Sequence, residues 1–282
     1  MSGPTGPQPA ALHLTPEELE RTTQLIYRHT GMIFGENKRY YIERRIADRM
    51  AKSGATDVRT YLTRATTGAE AEQLINAFTV NETYFYREEH QLAALANSIL
   101  PEVVKDHRPG DLVRIWSMPC STGEEPYSIA LWLLENWPLV DAYNIEIVGS
   151  DIDTAAVEAA RAGYFNARSL AKLPDAVREA YFEPEHRHRR KIIDDLRESV
   201  RFTTANLVDP ASVAAQGKFD VVLCRNLLIY FDDASRVAAA ANMHGCLNPG
   251  GYLCLGHSES MARISERFTL VRLEDAIVYR KA

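Results

Sequence analysis

Two neighbouring carboxylates, Glu124 and Glu125, stand where many nucleotide-binding proteins carry no acid. They follow an apolar run, Leu112–Trp116, which predicts a buried strand, and a turn that ends at Gly123. A strand, a glycine-containing turn and a helix N-terminus form the ligand-binding corner of a Rossmann-like βα unit. Dinucleotide enzymes place a pyrophosphate on that helix N-terminus, and two carboxylates here would repel it.

The acidic corner therefore favours a ligand that carries positive charge. S-adenosylmethionine fits this description, because it is a nucleoside without phosphates that bears a sulfonium and an ammonium group. The alternative is that both acids only complement the helix dipole. Ser121 and Thr122 precede Glu124 and Glu125 by three residues each, which is the spacing of a capping box, and Pro126 suits a first helical turn.

Polar residues also follow the next three predicted strands, and ligands of doubly wound sheets bind at the carboxyl ends of strands. Asp151 follows the second strand and suits the two ribose hydroxyls, while Asp153 could simply cap the next helix. Asn206 follows the third strand and offers an amide to an adenine edge. Asn226 follows the fourth strand and would face a methionine moiety, and Tyr230 could line the mouth of the methyl-transfer site.

The elements that must position these residues alternate along the chain. We predict strands at Leu112–Ser117, Ile145–Ser150, Phe219–Cys224 and Tyr252–Leu255, of which Phe219–Cys224 is the fourth strand because a third one precedes Asn206. We predict helices at Glu124–Asn136, Thr154–Ala162 and Asp233–Leu247. Short apolar runs separated by amphipathic helices predict a parallel sheet that is covered on both faces. Phe268–Leu273 and Ile277–Arg280 predict an antiparallel closing hairpin, which is more typical of S-adenosylmethionine-dependent methyltransferases than of dehydrogenases.

The fold class predicted is α/β, a Rossmann-like methyltransferase sheet with an N-terminal helical domain and a small inserted β subdomain. The predicted divisions are a disordered tail (1–14), the helical domain (15–87) and the methyltransferase domain (88–282). Within the last, a linker helix covers 88–107 and the β subdomain covers about 183–202. Asp194-Asp195 could form its hairpin turn. A basic run at 186–191 fits a partner site and a solvated hairpin about equally well.

Four cations of the predicted helix Asn37–Lys52 share one face. They are Lys38, Arg45, Arg49 and Lys52, at spacings i, i+7, i+11 and i+14. That face could dock an acidic partner, although charge runs are more often solvated faces and the spacing alone favours solvation.

Composition excludes several classes of function. A net charge of -6 over 282 residues argues against nucleic acid as a partner. The four cysteines lack metal-ligand spacing, so we expect reduced thiols, no metal and no disulfide frame. No apolar run approaches the roughly 20 residues of a membrane span, and the N-terminus lacks a signal-peptide layout. We therefore expect a cytoplasmic protein without membrane insertion.

Five stretches, taken together, resemble the CheR family of chemotaxis-receptor glutamate O-methyltransferases. They are NETYFYRE at 81–88, CSTGEEPYS at 120–128, SDID at 150–153, CRNLLIYF at 224–231 and GHSE at 256–259. The resemblance extends over nearly the whole chain past the tail, in order and with fitting spacing.

This resemblance implies a set of cofactor contacts, which are Asn81, Thr83, Arg87, Glu125, Asp151, Asn206, Leu207, Asn226 and Leu227. It implies that Arg87 and Tyr230 lie near the transferred methyl group, and that the basic face of the second helix docks the receptor. The implied reaction methylates glutamates on the cytoplasmic helical domain of methyl-accepting receptors, with S-adenosyl-L-methionine as donor and S-adenosyl-L-homocysteine as product. We expect a monomer.

The implied chemistry needs no general base, because an unperturbed glutamate titrates near 4.3 and is already ionised at neutral pH. Catalysis would rest on positioning, with Arg87 as the group that orients the incoming carboxylate. Some family members bind a receptor tether peptide through a glycine-containing loop of the β subdomain. Residues 183–191 contain no glycine, which favours direct receptor docking here.

Two alternatives remain open at the level of sequence. One is a methyltransferase that acts on another substrate, such as a nucleic acid or small molecule, although residues 224–227 lack the Asp/Asn-Pro-Pro-aromatic motif of base-methylating enzymes. The other is an S-adenosylmethionine sensor or scaffold without turnover, against which the presence of Arg87, Asn226 and Tyr230 argues.

Overall fold

The computed structural model describes residues 12–281, and the predicted disordered tail falls largely outside them. Leu14, which the prediction assigned to that tail, is buried, and its N–H donates to Glu43 Oε1 at 3.0 Å. The chain divides into two compact units between Thr79 and Val80. Residues 80–87, which the prediction assigned to the helical domain, therefore belong to the second unit.

Four helices build the first unit. They are α1 (Pro16–Thr30), α2 (Arg39–Ser53), α3 (Val58–Arg64) and α4 (Gly68–Phe78), with a 3-10 turn at Glu36–Lys38 before α2. α1 begins with a capping box between Thr15 and Glu18, and it ends at Gly31, whose φ of 72° is left-handed. Apolar stripes of the helices meet in one core, in which Ile46 and Tyr61 are fully buried.

The second unit contains a seven-stranded sheet and a two-stranded sheet. The strands are β1 (Leu112–Ser117), β2 (Asn144–Asp151), β3 (Tyr164–Asn166), β4 (Arg189–Lys191), β5 (Val200–Thr204), β6 (Phe219–Cys224), β7 (Leu247–Leu255), β8 (Phe268–Arg272) and β9 (Ile277–Lys281). The large sheet has the order β5-β2-β1-β6-β7-β9-β8. Its first five strands are parallel and β9 is antiparallel to both neighbours, which confirms the predicted parallel sheet with a closing hairpin.

The helices of this unit are α5 (Glu89–Ala94), α6 (Leu100–Val103), α7 (Glu124–Asn136), α8 (Thr154–Ala162), α9 (Ala167–Leu170), α10 (Asp175–Tyr181), α11 (Asp194–Ser199), α12 (Pro210–Ala214) and α13 (Asp233–Cys246). A π-helical turn, Leu95–Ile99, joins α5 to α6, so the predicted linker helix consists of joined segments. Short 3-10 turns lie at Val104–Asp106, Val140–Ala142 and Leu228–Tyr230. Over residues 12–281, no helix has both the length and the apolar character that a membrane crossing requires.

The inserted region differs from the prediction. Asp194-Asp195 does not form a hairpin turn but begins α11, because negative side chains are stabilised at a helix N-terminus. Asp194 also accepts from Lys191 Nζ at 2.7 Å. Val200–Phe202 belongs to β5 at the edge of the large sheet. The small sheet pairs β3 with β4 instead, and isolated bridges at Phe182–Ile192 and His186–Arg189 extend it.

Close packing between α7 and the sheet fixes where α7 begins. A Cβ at Gly149, in β2, would lie 2.8 Å from ring carbons of both Phe202 and Pro126. A glycine here therefore lets α7 approach the strand closely, and the first turn of α7 stands beside the carboxyl ends of β1 and β2.

Candidate functional site

The corner between β1 and α7 lacks the predicted capping box. The residue before the helix is Gly123, with a left-handed φ of 97° and no side chain to cap it. The Ser121 hydroxyl donates to Asn81 Oδ1 at 3.2 Å, and the Thr122 hydroxyl donates to Glu124 Oε2 at 2.6 Å. The capping-box prediction is therefore wrong: the Ser121 hydroxyl connects the corner to Asn81 instead, and the Thr122 hydroxyl bonds within the corner.

The two acids of this corner have different environments. Glu124 is buried, and its Oε1 accepts from the Ser169 hydroxyl at 2.6 Å, which joins α7 to α9. Glu125 accepts from the Ser117 hydroxyl at 2.8 Å and from Arg225 Nη1 at 2.6 Å. The side chain of Glu125 is 14% exposed, so of the two acids it is the more accessible to a ligand.

Asp151 lies at the carboxyl end of β2 and is only 3% exposed. Its two oxygens accept from the N–H groups of Ser121, at 2.8 Å, and Asp153, at 2.9 Å. Burial raises the pKa of Asp151 to about 6, although these backbone donors favour the anion. Asp153 caps α8 by accepting from the Ala156 N–H, so the capping role belongs to Asp153 and not to Asp151.

The segment after β5 is held against Asp151. The Ala205 N–H donates to the Asp151 carbonyl at 3.0 Å. Asn206 Oδ1 accepts from the Val208 N–H at 3.2 Å, and the Leu207 carbonyl accepts from Asn242 at 2.8 Å. Asn206 and Leu207 therefore adjoin the predicted ribose acid in a fixed turn.

A carboxylate that the sequence interpretation assigned no role organises the loop after β6. Glu259 accepts from the N–H groups of Asn226 at 2.7 Å, Leu228 at 2.7 Å and Gly256 at 2.9 Å. These bonds hold Asn226 in a left-handed conformation, with φ of 60°. The glutamate of the GHSE motif was visible in the sequence, but its partners 31 and 33 residues away were not.

Leu227 directly precedes the 3-10 turn of that same loop, and Tyr230 is the last residue of the turn. The Tyr230 N–H donates to the Leu227 carbonyl at 3.0 Å, and both side chains are partly exposed. The predicted methionine-side pair and the predicted tyrosine therefore share one short loop.

The segment 81–88 carries three of the predicted site residues. Asn81 Nδ2 donates to Asp153 Oδ2 at 2.7 Å, which brings Asn81 beside the end of β2. Arg87 donates to the Glu82 carbonyl at 2.7 Å, and its guanidinium lies 5.8 Å from the centre of the Tyr84 ring. Thr83 is partly buried between them.

Arg225 joins this segment to the β1–α7 corner, a role that the sequence did not reveal. Its guanidinium contacts Glu125, Glu88 and the Arg87 carbonyl. Burial alone would raise the pKa of Glu88, but Arg225 and His257, whose Nδ1 lies 2.8 Å from Glu88 Oε1, hold it below the usual range. In the sequence, Arg225 was part of the stretch at 224–231 that resembles the family, but no contact was predicted for it.

The four predicted docking cations do not form one available face. Arg49 is 12% exposed and binds both carboxylate oxygens of Glu70 at 2.9 Å, because α4 packs an acid against α2. The prediction is wrong for Arg49, because this residue forms an ion pair with Glu70 inside the helical unit. Arg45 lies 5.0 Å from the centre of the Tyr41 ring, while Lys38 and Lys52 are exposed.

The charges of the site fit S-adenosylmethionine. Glu88 and Glu125 bring two negative charges against the single positive charge of Arg225, so the group favours a cationic ligand end. Arg225 Nε is buried and has no hydrogen-bond partner within residues 12–281. Asp151, at the carboxyl end of β2 beside β1, carries the carboxylate that the sequence predicts to accept from a ribose.

Comparisons with known proteins point to the same ligand. The family model described as CheR methyltransferase, SAM binding domain, matches residues 81–277, and that described as CheR methyltransferase, all-alpha domain, matches residues 17–79. Chemotaxis protein methyltransferase 2 of Vibrio cholerae is 47% identical over 271 residues, which cover 95% of this chain and 94% of that protein. Chemotaxis protein methyltransferase of Vibrio parahaemolyticus is 32% identical, with coverage of 96% and 98%. Chemotaxis protein methyltransferase 1 of Pseudomonas aeruginosa is 33% identical, with coverage of 89% and 92%.

Proposed function

The chain belongs to the CheR methyltransferase family, and we propose that it esterifies glutamate side chains on the cytoplasmic helical domain of chemotaxis receptors. It is an S-adenosylmethionine-dependent methyltransferase of chemotaxis. The observation that carries the proposal is the placement of Glu125 and Asp151 beside the carboxyl ends of the paired strands β1 and β2.

Six of the nine predicted cofactor contacts can be matched to groups of the donor. Glu125 would hold the ammonium, since it is the more accessible acid of the corner. Asp151 would accept from the ribose hydroxyls, with Asn206 and Leu207 on the adenine side. The loop held by Glu259 supports a methionine-side role for its residues, which are Asn226 and Leu227.

The chemistry requires few groups from the protein. When bound, S-adenosylmethionine supplies a methyl group on a positively charged sulfur, which leaves as a neutral thioether. A substrate glutamate is already ionised at neutral pH, so the protein need not remove a proton. Arg87 would orient that carboxylate, and Tyr230 would line its path. Orientation and exclusion of water then supply the rate enhancement, at most about 7–11 kcal/mol from positioning.

Receptor docking is assigned to cations of α2 and its preceding turn, of which Lys38 and Lys52 are exposed and Arg45 is partly buried. Lys38, Arg45 and Lys52 are candidates, whereas Arg49 is committed to Glu70. The hairpin at 183–191 turns through Arg187 and His188, both with left-handed φ, without a glycine. That tight turn supports direct docking over binding of a tether peptide. Micromolar binding of a tether-type peptide would reverse this part of the proposal.

The proposed location is the cytoplasm, where receptor signalling domains lie. All four cysteines are free and buried, as expected for a reducing compartment. Burial raises the pKa of the Cys254 thiol to about 12, so it stays protonated at neutral pH.

The role of Arg87 tests the proposal. Arg87→Ala is expected to lower the turnover of labelled methyl transfer to a receptor signalling domain by about 100-fold, since misplacement of a reacting group costs this much. Affinity for S-adenosylhomocysteine, measured by calorimetry, should change far less. Arg108→Ala, an exposed arginine at the amino end of β1, is the matched control and should behave like the wild type. A near-normal methylation rate in Arg87→Ala would remove Arg87 from the mechanism.

A further inference from the structure

One buried guanidinium, that of Arg225, contacts two functional segments at once. Its Nη1 donates to Glu125 Oε2 at 2.6 Å. Its Nη2 donates to the Arg87 carbonyl at 2.6 Å and lies 3.2 Å from Glu88 Oε2. Arg225 is 5% exposed and follows β6 directly, so the rigid sheet fixes its backbone.

The contacts of Arg225 explain why an arginine stands there. A guanidinium cannot lose its proton in a protein, and a buried cation is tolerated only when paired and hydrogen-bonded. Here Glu125 and Glu88 supply the opposite charge. The planar fork donates in several fixed directions, so one side chain reaches both the carboxylate of α7 and the carbonyl of Arg87.

The backbone around Arg87 needs such support. Tyr86 and Glu88, on either side of it, have left-handed φ values of 56° and 57°, which are unfavourable for residues with a Cβ. The Tyr86 N–H is held by the Ser128 hydroxyl at 3.0 Å. On the other side, the Arg87 carbonyl and the Glu88 carboxylate are both held by Arg225.

We infer that Arg225 is a positioning residue that fixes the backbone of Arg87 relative to Glu125. This role rests on the proposed function, in which Glu125 holds the methyl donor and Arg87 orients the acceptor carboxylate. Arg225 acts through both residues, because it links the residue that holds the methyl donor to the residue that orients the acceptor. The donor and the acceptor must be aligned in one geometry for methyl transfer.

Arg225→Lys tests the role, because it keeps the charge between the carboxylates while one ammonium nitrogen replaces the fork. In the free protein, we expect hydrogen exchange of the backbone amides in 82–88 to rise about tenfold, since a local opening becomes easier. S-adenosylhomocysteine affinity should stay within about threefold, whereas kcat should fall about 30-fold because alignment is lost.

A double-mutant cycle separates positioning from a general loss of stability. If Arg225 acts through Arg87, then Arg225→Lys should cost little further kcat in the Arg87→Ala background. Additive losses would overturn the inference. The matched control is Arg114→Lys, which alters an arginine of β1 that pairs with Glu146 and binds the Lys218 carbonyl. That variant should lower the melting temperature without changing exchange in 82–88.

Two further outcomes keep the inference separate from the proposed function. If the wild-type protein forms no methyl ester, the proposed function fails, but hydrogen exchange and S-adenosylhomocysteine binding still decide the role of Arg225. If Arg225→Lys does not fold, Glu88→Gln can replace it, because this change weakens the contact between Glu88 and Arg225. Glu88→Gln should then raise the hydrogen exchange of the backbone amides at 86–88. Unchanged exchange in a folded variant of either residue would contradict the inference.

Discussion

At the scale of single residues, Glu124 and Glu125 show how neighbouring identical side chains acquire different environments. Glu124 is buried and accepts from Ser169 and Thr122, so it belongs to the packing of α7. Glu125 stays partly accessible and pairs with Arg225. The direction of each side chain on the first turn of α7 decides the difference.

Substitution of the two acids should separate cofactor binding from stability. Glu125→Gln is expected to weaken S-adenosylhomocysteine binding about 10- to 100-fold, because a hydrogen bond to a charged group contributes about 1.5–3 kcal/mol. Calorimetric titration measures this. Glu124→Gln should leave the affinity near normal and lower the free energy of unfolding by about 1–3 kcal/mol. The reverse pattern would assign the ligand to Glu124.

The buried carboxyl of Asp151 predicts a pH dependence. Because burial raises its pKa from 3.8 to about 6, Asp151 becomes protonated as the pH falls from 7.5 to 5 and can no longer accept from both ribose hydroxyls. S-adenosylhomocysteine affinity should fall about tenfold over this range, since about one carboxyl in eleven remains ionised one unit below its pKa. Asp151→Asn should bind weakly at every pH. A wild-type affinity that stays constant down to pH 5 would contradict this role.

The raised pKa of Asp151 also determines how its contribution to the free energy of unfolding changes with pH. A raised carboxyl pKa means that the folded state binds a proton more readily than the unfolded state, so Asp151 favours folding more as the pH falls from about 6 towards 3.8. Glu88 acts in the opposite direction. Its pKa is lowered, so its contribution is present above the ordinary glutamate range and is lost as the pH falls through the lowered value.

The residues that sequence reasoning missed share a physical cause. Arg225 meets Glu125 across 100 positions and the Arg87 carbonyl across 138. Strand and helix periodicity reports only local structure, so it predicted that residues after strand ends would converge but not which side chains would pair. Asp151 was predictable because its position at a strand end is itself a local property.

At the scale of elements, the approach of α7 to β2 determines where the acidic corner lies. Gly149→Ala should lower the free energy of unfolding by about 1–3 kcal/mol, because its Cβ would overlap Phe202 and Pro126. Chemical denaturation measures the change. Gly245→Ala, in α13, is the control, since no atom lies within 4 Å of its added Cβ. It should stabilise by about 0.5–1 kcal/mol. Equal effects at both glycines would refute the packing argument.

Most of the elements were predictable from the sequence, and the exceptions are short. β1, β6, α7 and α8 have the predicted bounds, because each combines a strong apolar pattern with a clear start or stop. The inserted region failed because α11 has six residues and β4 has three, lengths at which local preference is weak. The ion pairs of Asp194 with Lys191 and Arg197 favour the helix there.

At the scale of the whole molecule, receptor docking and methyl transfer are assigned to different units. Lys38→Glu and Lys52→Glu should each raise the KM for a receptor signalling domain about 3- to 10-fold, with a weaker salt dependence, because exposed charges act mainly on association. Affinity for S-adenosylhomocysteine should not change. Arg49→Ala should instead destabilise the first unit by about 1–3 kcal/mol, since it leaves Glu70 without its partner. Unchanged KM values for both lysine variants would move docking away from this helix.

The chemical nature of the product tests the central claim most directly. The purified protein is incubated with a receptor signalling domain and S-adenosylmethionine labelled in its methyl group, and the labelled receptor is then treated with mild alkali. A glutamate methyl ester releases its label as methanol, and replacement of the acceptor glutamates by alanine abolishes labelling. We predict both results. Label that survives alkali, or that persists without the acceptor glutamates, would contradict carboxylate methylation by this protein.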